Sequence, residues 1–272
     1  MYGFSYRRPV SLDEAVSILR DDPDALLLAG GQTLLPTLKL RLGQPTELVD
    51  IGRLHALQGI QLDRTTLRIG ALTRHATVAN STDVQHAIPA LARLAGGIGD
   101  PLVRNMGTIG GSLAYNHPGA DYPGAVLGLG ATITTDRRKI AGDEYLQGML
   151  DTALEPGEII VAIEFPVPQR AGYIKFPSPG SGYVLTGAFV ADTATGIRVA
   201  INGAGPCAFR GADFEQALTA RFSPDAVQDL SLPADELLED LHASAAYRAH
   251  LAQVAVGRAV AQAGGHRQGS RS

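Results

Sequence analysis

Glycine limits what this chain can build more than any other residue type. It occupies 32 of 272 positions, well above the roughly 7% of an average globular protein. A glycine inside a helix or strand costs roughly 0.5–1 kcal/mol relative to alanine. Dense glycine therefore marks places where the backbone turns sharply or comes very close to something else. Two stretches concentrate it. LLLAGGQTLLPTLKLRL, Leu26 to Leu42, sets Gly30-Gly31 between an apolar run and a helical pattern. Gly96 to Gly130 contains RNMGTIGGSLAYNHPGADYPGAVLGLGA and excludes a long regular element before Pro123.

Composition removes several function classes. The chain is 45% hydrophobic and 18% charged, a globular profile long enough for one large domain or two ordinary ones. A net charge of −4 argues against a general nucleic-acid binder. No apolar run reaches the length of a membrane span. The opening MYGFSYRRPV lacks the apolar centre of a secretory signal, so a cytoplasmic location is expected. A single cysteine, Cys207, excludes an internal disulfide framework and a cysteine-ligated cluster, and reads as a small buried filler. The seven histidines are scattered without metal-ligand spacing.

The chain opens with a helix over 11–21, where Ser11 and Glu14 have capping-box spacing and Ala15, Ile18 and Leu19 share a face. A strand at 25–29, a turn at Gly30-Gly31, a helix over 33–42 with Pro36 in its first turn, and a strand at 48–51 form a β–α–β unit. Ile60–Leu62 and Leu67–Ile69 predict a hairpin. Residues 73–80 and 88–95 read as helices, as does Gly124–Leu129; 131–135 and 159–165 read as strands. A boundary falls near 167–172. Strands at 183–192 and 196–202 then precede helices over 213–220, 235–241 and 245–263, which suggests a compact α+β unit. The polar tail is expected to be disordered.

Neither glycine stretch is a GxGxxG fingerprint or a P-loop. Each has the composition of an anion nest, in which successive N–H groups converge on one oxygen, with Thr33 and Ser112 adding hydroxyls and the helix after Thr33 its positive end. The plain alternative for each is a tight turn. Asp121 is either a helix cap or an acceptor for a ribose hydroxyl. Lys175 lies on a predicted strand beside a Gly/Pro loop, and its plain reading is a solvated side chain.

The two glycine stretches, together with ELVDIGRL, LRIGALTRHA, LEPGEIIVAIEFP and DLHASAAYRAHLAQVAVGRAV, resemble the FAD-binding medium subunit of the molybdenum hydroxylases, the xanthine dehydrogenase and aerobic carbon monoxide dehydrogenase group. The resemblance covers nearly the whole chain. It implies an α+β fold: a two-part FAD domain of the p-cresol methylhydroxylase type over 1–170, with parts at about 1–53 and 54–170. A smaller α+β C-terminal domain over 171–265, an antiparallel sheet packed with helices, and a tail at 266–272 would follow. It implies FAD as the cofactor of this chain and a role as oxidoreductase subunit passing electrons to a terminal acceptor. Partners would be a molybdopterin-binding large subunit and a small subunit with [2Fe–2S] clusters, in a dimer of heterotrimers. By the same resemblance, Leu28, Ala29, Gly30, Gly31, Gln32, Thr33, Leu34 and Leu35 form the first pyrophosphate loop. Thr108, Ile109, Gly110, Gly111 and Ser112 form the second, and Asp121 is the adenosine-side carboxylate. Ile160 and Lys175 match positions that approach the flavin ring. No residue of this chain is implied to be catalytic or to bind metal. The chain departs from the family at Pro177–Gly182, where many members carry an arginine, and at Met106, where relatives often carry a basic residue. The alternatives are a free-standing flavoprotein and a flavin-free assembly subunit.

Overall fold

The computed structural model describes residues 1–265, so the expected disordered tail at 266–272 lies outside the described residues. The chain begins with β1 (Ser5–Arg7), α1 (Leu12–Asp21), β2 (Leu26–Leu28), α2 (Leu34–Lys39) and β3 (Glu47–Asp50). These strands form a parallel sheet in the order β1-β3-β2. At the start of α1, Ser11 Oγ accepts from the Glu14 N–H at 3.1 Å. The Glu14 carboxylate turns back to the N–H of Val10 at 2.7 Å, a capping box displaced by one residue. Ala15, Ile18 and Leu19 are buried in a small core with Val49, Ile51, Leu72 and Ile159.

The hairpin β4 (Ile60–Leu62) and β5 (Thr66–Gly70) leads into a run of short helices: α3 (His75–Asn80), α4 (Thr82–Ala87), α5 (Pro89–Gly96), α6 (Pro101–Met106), α7 (Ile109–Tyr115) and α8 (Tyr122–Leu129). Then come β6 (Thr132–Thr135), β7 (Lys139–Ala141), α9 (Gly142–Tyr145), a ribbon of β8 (Leu146–Gly148) and β9 (Asp151–Thr152), and β10 (Ile160–Pro166). An antiparallel sheet of order β4-β5-β10-β6-β7 results, with β10 at its centre.

Three residues separate β10 from β11 (Arg170–Pro177). With β12 (Val184–Thr193), β13 (Gly196–Asn202) and β14 (Phe209–Arg210) it makes an antiparallel sheet, followed by α10 (Ala212–Ala220) and α11 (Ala245–Gly264). Strand β12 divides two cores by the two-residue period of a strand. Ala188 and Val190 join Phe214, Ala252 and Val256, whereas Phe189 and Ala191 join Tyr122, Val126 and the central core. Glycine permits the close approach on both faces. A Cβ on Gly128 of α8 would sit 2.7 Å from the Phe189 ring, and one on Gly172 would collide with the α11 backbone at Ala259.

Several expectations are corrected. The exposed strand β1 carries no apolar alternation and was not expected. The helix over 33–42 is shorter, because Arg41 takes φ 59° and breaks it. In place of a helix over 235–241 there is one 3₁₀ turn, Ala234–Glu236. Asp240 instead accepts from the N–H groups of His242 and Ala243, at 2.9 and 3.0 Å, an alternative to helix bonding. Between Gly96 and Gly130 no helix exceeds eight residues, as expected, but α6 and α7 both form within it. Cys207 is half-buried rather than sealed, and burial pushes its thiol up.

Candidate functional site

A cavity of about 670 Å³ opens where the first sheet, the α6–α7 segment and the loop between β11 and β12 meet. Its first wall is the turn from β2 into α2. Strand β2 delivers the chain to Gly30, and Gly31 takes φ +70°, a conformation glycine adopts without strain. The N–H groups of Gly30, Gly31, Gln32, Thr33 and Leu34 have no hydrogen-bond partner among the described residues. Thr33 is the N-cap of α2, yet its hydroxyl makes no cap bond, so it too is available. Six donors on one short turn, beside the positive end of a helix, suit an anionic oxygen cluster.

The second glycine stretch is built differently. Thr108 is the N-cap of α7, and its Oγ1 accepts from the Gly111 N–H at 3.2 Å. The N–H of Ile109 bonds Thr73 O at 3.1 Å, that of Gly110 bonds Ala71 O at 2.8 Å, and that of Ser112 bonds Thr108 O at 3.1 Å. The N–H groups from Ile109 to Ser112 thus already have protein acceptors, whereas that of Thr108 has none among the described residues. The glycines here serve proximity: a Cβ on Gly110 would lie 2.6 Å from Ala71 Cβ, and Gly30 rests on the peptide joining Met106 and Gly107. The Ser112 hydroxyl lines the cavity without a partner among the described residues.

Asp121 lines the cavity and is 4% exposed. It makes no helix-cap bond, which removes that alternative. Its carboxylate accepts from Tyr173 Oη at 2.8 Å and pairs with Lys175 Nζ at 3.1 Å. Burial pushes the carboxyl up to about 6, against the pull of Lys175 and Tyr173. Lys175 also donates to Gly97 O at 2.7 Å and Gly182 O at 3.3 Å. It is therefore not a solvated side chain, but a tie between α5, α8 and the loop after β11.

Among the described residues no lysine or arginine lines the cavity. Its other acid, Glu158, is pushed up by burial but pulled further down, to about 2, by Arg138, the Glu155 N–H and Thr135. Three rings form a ladder on the wall: Tyr115 and His117 lie 6.1 Å apart at 8°, and His117 and Tyr183 lie 4.7 Å apart at 25°. His117 Nδ1 accepts from the Gly119 N–H at 3.0 Å, and burial lowers its pKa. His75, buried at the head of α3, also lines the cavity.

Of the residues singled out from the resemblance, Ala29 through Leu34 line the cavity, as do Thr108, Gly110, Gly111, Ser112, Asp121 and Ile160. Leu28 and Leu35 flank Gly31 from behind, Ile109 is sealed in the central core, and Lys175 stands behind Asp121. Tyr115, His117, Tyr183 and His75 escaped sequence reasoning, because strands and helices far apart in the chain bring them to one wall. Lys39 and Arg41, too distant along the chain to reach an anion at the turn, do not line it; Arg41 lies over the Tyr2 ring at 5.6 Å.

Comparison with known proteins gives consistent answers. A family described as the FAD binding domain in molybdopterin dehydrogenase matches residues 2–168. The carbon monoxide dehydrogenase medium chain of Hydrogenophaga pseudoflava is 36% identical over 94% of this chain and 96% of its own length. The nicotine 6-hydroxylase medium subunit of Paenarthrobacter nicotinovorans is 32% identical over 95% and 96%. Among solved structures, a carbon monoxide dehydrogenase from Hydrogenophaga pseudoflava lacking the Mo-pyranopterin moiety superposes with a TM-score of 0.89, at 36% identity, over 97% of this chain and 98% of that one.

Proposed function

The chain belongs to the FAD-binding family of the molybdopterin dehydrogenases, in the line of carbon monoxide and xanthine dehydrogenase medium subunits, and from that premise we propose that it carries electrons as the flavin subunit of a heteromeric molybdenum hydroxylase. The observation that carries the residue-level reading is the set of five N–H groups, Gly30 to Leu34, without a partner among the described residues, of which no lysine or arginine lines the cavity. A diphosphate fits such a place, since aligned backbone dipoles neutralise it without a cationic side chain. The first loop thus takes the diphosphate. The Met106–Gly107 peptide and α7 form the opposing wall, to which Ser112 contributes its hydroxyl. Asp121, held by Tyr173 and Lys175, offers a buried carboxylate to a hydroxyl of the dinucleotide. Tyr115, His117 and Tyr183 supply π-faces for stacking, and Ile160 supplies apolar wall.

FAD, when bound, supplies the exchange between one-electron donors and two-electron acceptors. What the chain's residues contribute is binding, orientation and exclusion of water. In the assembly we propose, a small [2Fe–2S] subunit delivers electrons, a molybdopterin-bearing large subunit oxidises the substrate, and the complex is a dimer of heterotrimers in the cytoplasm. No helix among the described residues is long and apolar enough to cross a membrane. We also propose the division into 1–170, with parts near 1–53 and 54–170, and 171–265. The short link between β10 and β11 supports it, although the central core runs across that boundary.

The test has two arms. The full chain, stripped of ligand and titrated with FAD, is expected to bind one equivalent and quench flavin fluorescence; no binding refutes the flavin reading. Purified from its native cells under mild conditions, it is expected to bring molybdenum and iron with it. A flavin-loaded chain recovered alone, reducing an acceptor directly, would establish the free-standing flavoprotein instead.

A further inference from the structure

His75 is the first residue of α3, 5% exposed, and lines the cavity. Among the described residues no hydrogen bond reaches its ring. Nδ1 is sealed, and the ring stands 5.3 Å from that of Tyr122. Nε2 faces the seam between the two glycine stretches: a Cβ on Gly107 would come within 2.6 Å of it, and Gly107 itself lies against Gly30. An unpartnered polar side chain this deeply buried is uncommon and calls for a cause.

Burial, with a smaller push from Arg104, lowers the imidazole to about 4. At neutral pH the ring therefore carries one proton, on one nitrogen. An orphaned N–H sealed from solvent is the rarer arrangement in proteins, so the proton belongs on Nε2, which faces the seam. Gly107 in turn lies against Gly30, the first residue of the open turn, while the N–H groups from Ile109 to Ser112 already have protein acceptors.

We propose that His75 donates from Nε2 to a diphosphate oxygen of FAD, adding a side-chain donor at the seam between the two glycine stretches. The inference rests on the reading that this cavity holds FAD. Its chemistry is that of a neutral donor in a cavity that no lysine or arginine lines among the described residues. Such a donor holds the phosphate without adding a charge beside Asp121.

The test uses the full chain, freed of flavin, with FAD, ADP and riboflavin as probes. ADP carries the diphosphate without the flavin, and riboflavin carries the flavin without any phosphate. His75→Asn places an amide near the Nδ1 position and His75→Gln places one near Nε2. Loss of a hydrogen bond to a charged oxygen should weaken FAD and ADP about tenfold to a hundredfold in His75→Asn. Riboflavin should be unaffected, and His75→Gln should recover most of the loss. Unchanged FAD and ADP affinity in His75→Asn overturns the proposal, as does an equal loss for riboflavin. A wild-type chain that binds no FAD instead overturns the flavin reading itself. Should both variants unfold, ¹⁵N NMR of histidine-labelled wild type decides. An Nε2–H tautomer whose Nε2 resonance moves on adding ADP supports the proposal, and a resonance that stays still rejects it.

Discussion

Gly30-Gly31 and Gly110-Gly111 face one cavity; the first pair precedes the six-residue α2, and the second lies within the first turn of the seven-residue α7. At the first pair the backbone takes φ +70°, and the donors from Gly30 to Leu34 are left open. At the second, every N–H from Ile109 to Ser112 already has a protein acceptor, and glycine is required because Ala71 is too close for a Cβ. The same residue type thus leaves backbone donors open in one place and permits close packing in the other. Accounting for each N–H separates the two cases, where composition does not.

That difference can be broken by substitution. The largest effect is expected for Gly110→Val, whose side chain meets both Cβ and backbone of Ala71. Overpacking of this kind should destabilise the flavin-free protein by about 3 kcal/mol, read as a lower unfolding temperature whether or not FAD is present. Next comes Gly31→Ala, where the left-handed backbone strains any other residue by roughly 1–2 kcal/mol and the nearest obstacle is the movable Leu35 side chain. Its fold should survive while FAD affinity drops about tenfold; an unfolding temperature as low as that of Gly110→Val would erase the contrast. The threonines give a finer comparison. Thr108→Ala removes a cap bond and should cost about 1 kcal/mol of stability. Thr33→Ala removes none and should leave stability within about 0.5 kcal/mol while weakening FAD, as followed by fluorescence titration.

The last comparison concerns pH. No ionisable side chain lies between Leu28 and Leu38, so the titrating groups stand on the far wall. Burial raises Asp121 to about 6, so between its unfolded value and 6 the folded state holds the extra proton, and stability falls as pH rises. Burial lowers His75 to about 4, so between 4 and its unfolded value the unfolded state holds the extra proton, and stability rises with pH. Between pH 4 and 6 the two slopes oppose each other at about 1.4 kcal/mol per pH unit each. The wild-type contribution from this pair should be nearly flat in denaturant titrations. Asp121→Asn should uncover a rising slope there, and a curve still flat would remove His75 from the account.

Local signals were legible in the chain, and long-range ones were not. The capping at Ser11, the β2–α2–β3 unit and the β4–β5 hairpin follow from neighbours in sequence. Strand β1 does not, because its three exposed residues carry no apolar alternation and are held by pairing with β3. The helical turn at Ile109–Ser112 was hidden for a different reason. Two adjacent glycines disfavour a helix locally, and it is the packing against Ala71 that decides. The Tyr115, His117 and Tyr183 ladder has no sequence signal, since Tyr183 comes from the loop before β12. Asp121 and Lys175 were each recognised, but their contact, which gives both their meaning, spans 54 positions.

The seat of Gly30 on the Met106–Gly107 peptide joins two points 76 positions apart in the chain. Such a closure carries the entropy of a long loop and belongs among the slow, non-local steps of folding. The donors of the first turn exist as soon as the N-terminal sheet forms, but the chamber around them exists only when α6 has docked. Cofactor uptake should therefore lag behind the first collapse, and the appearance of bound flavin during refolding would time the moment when the two halves of the wall meet.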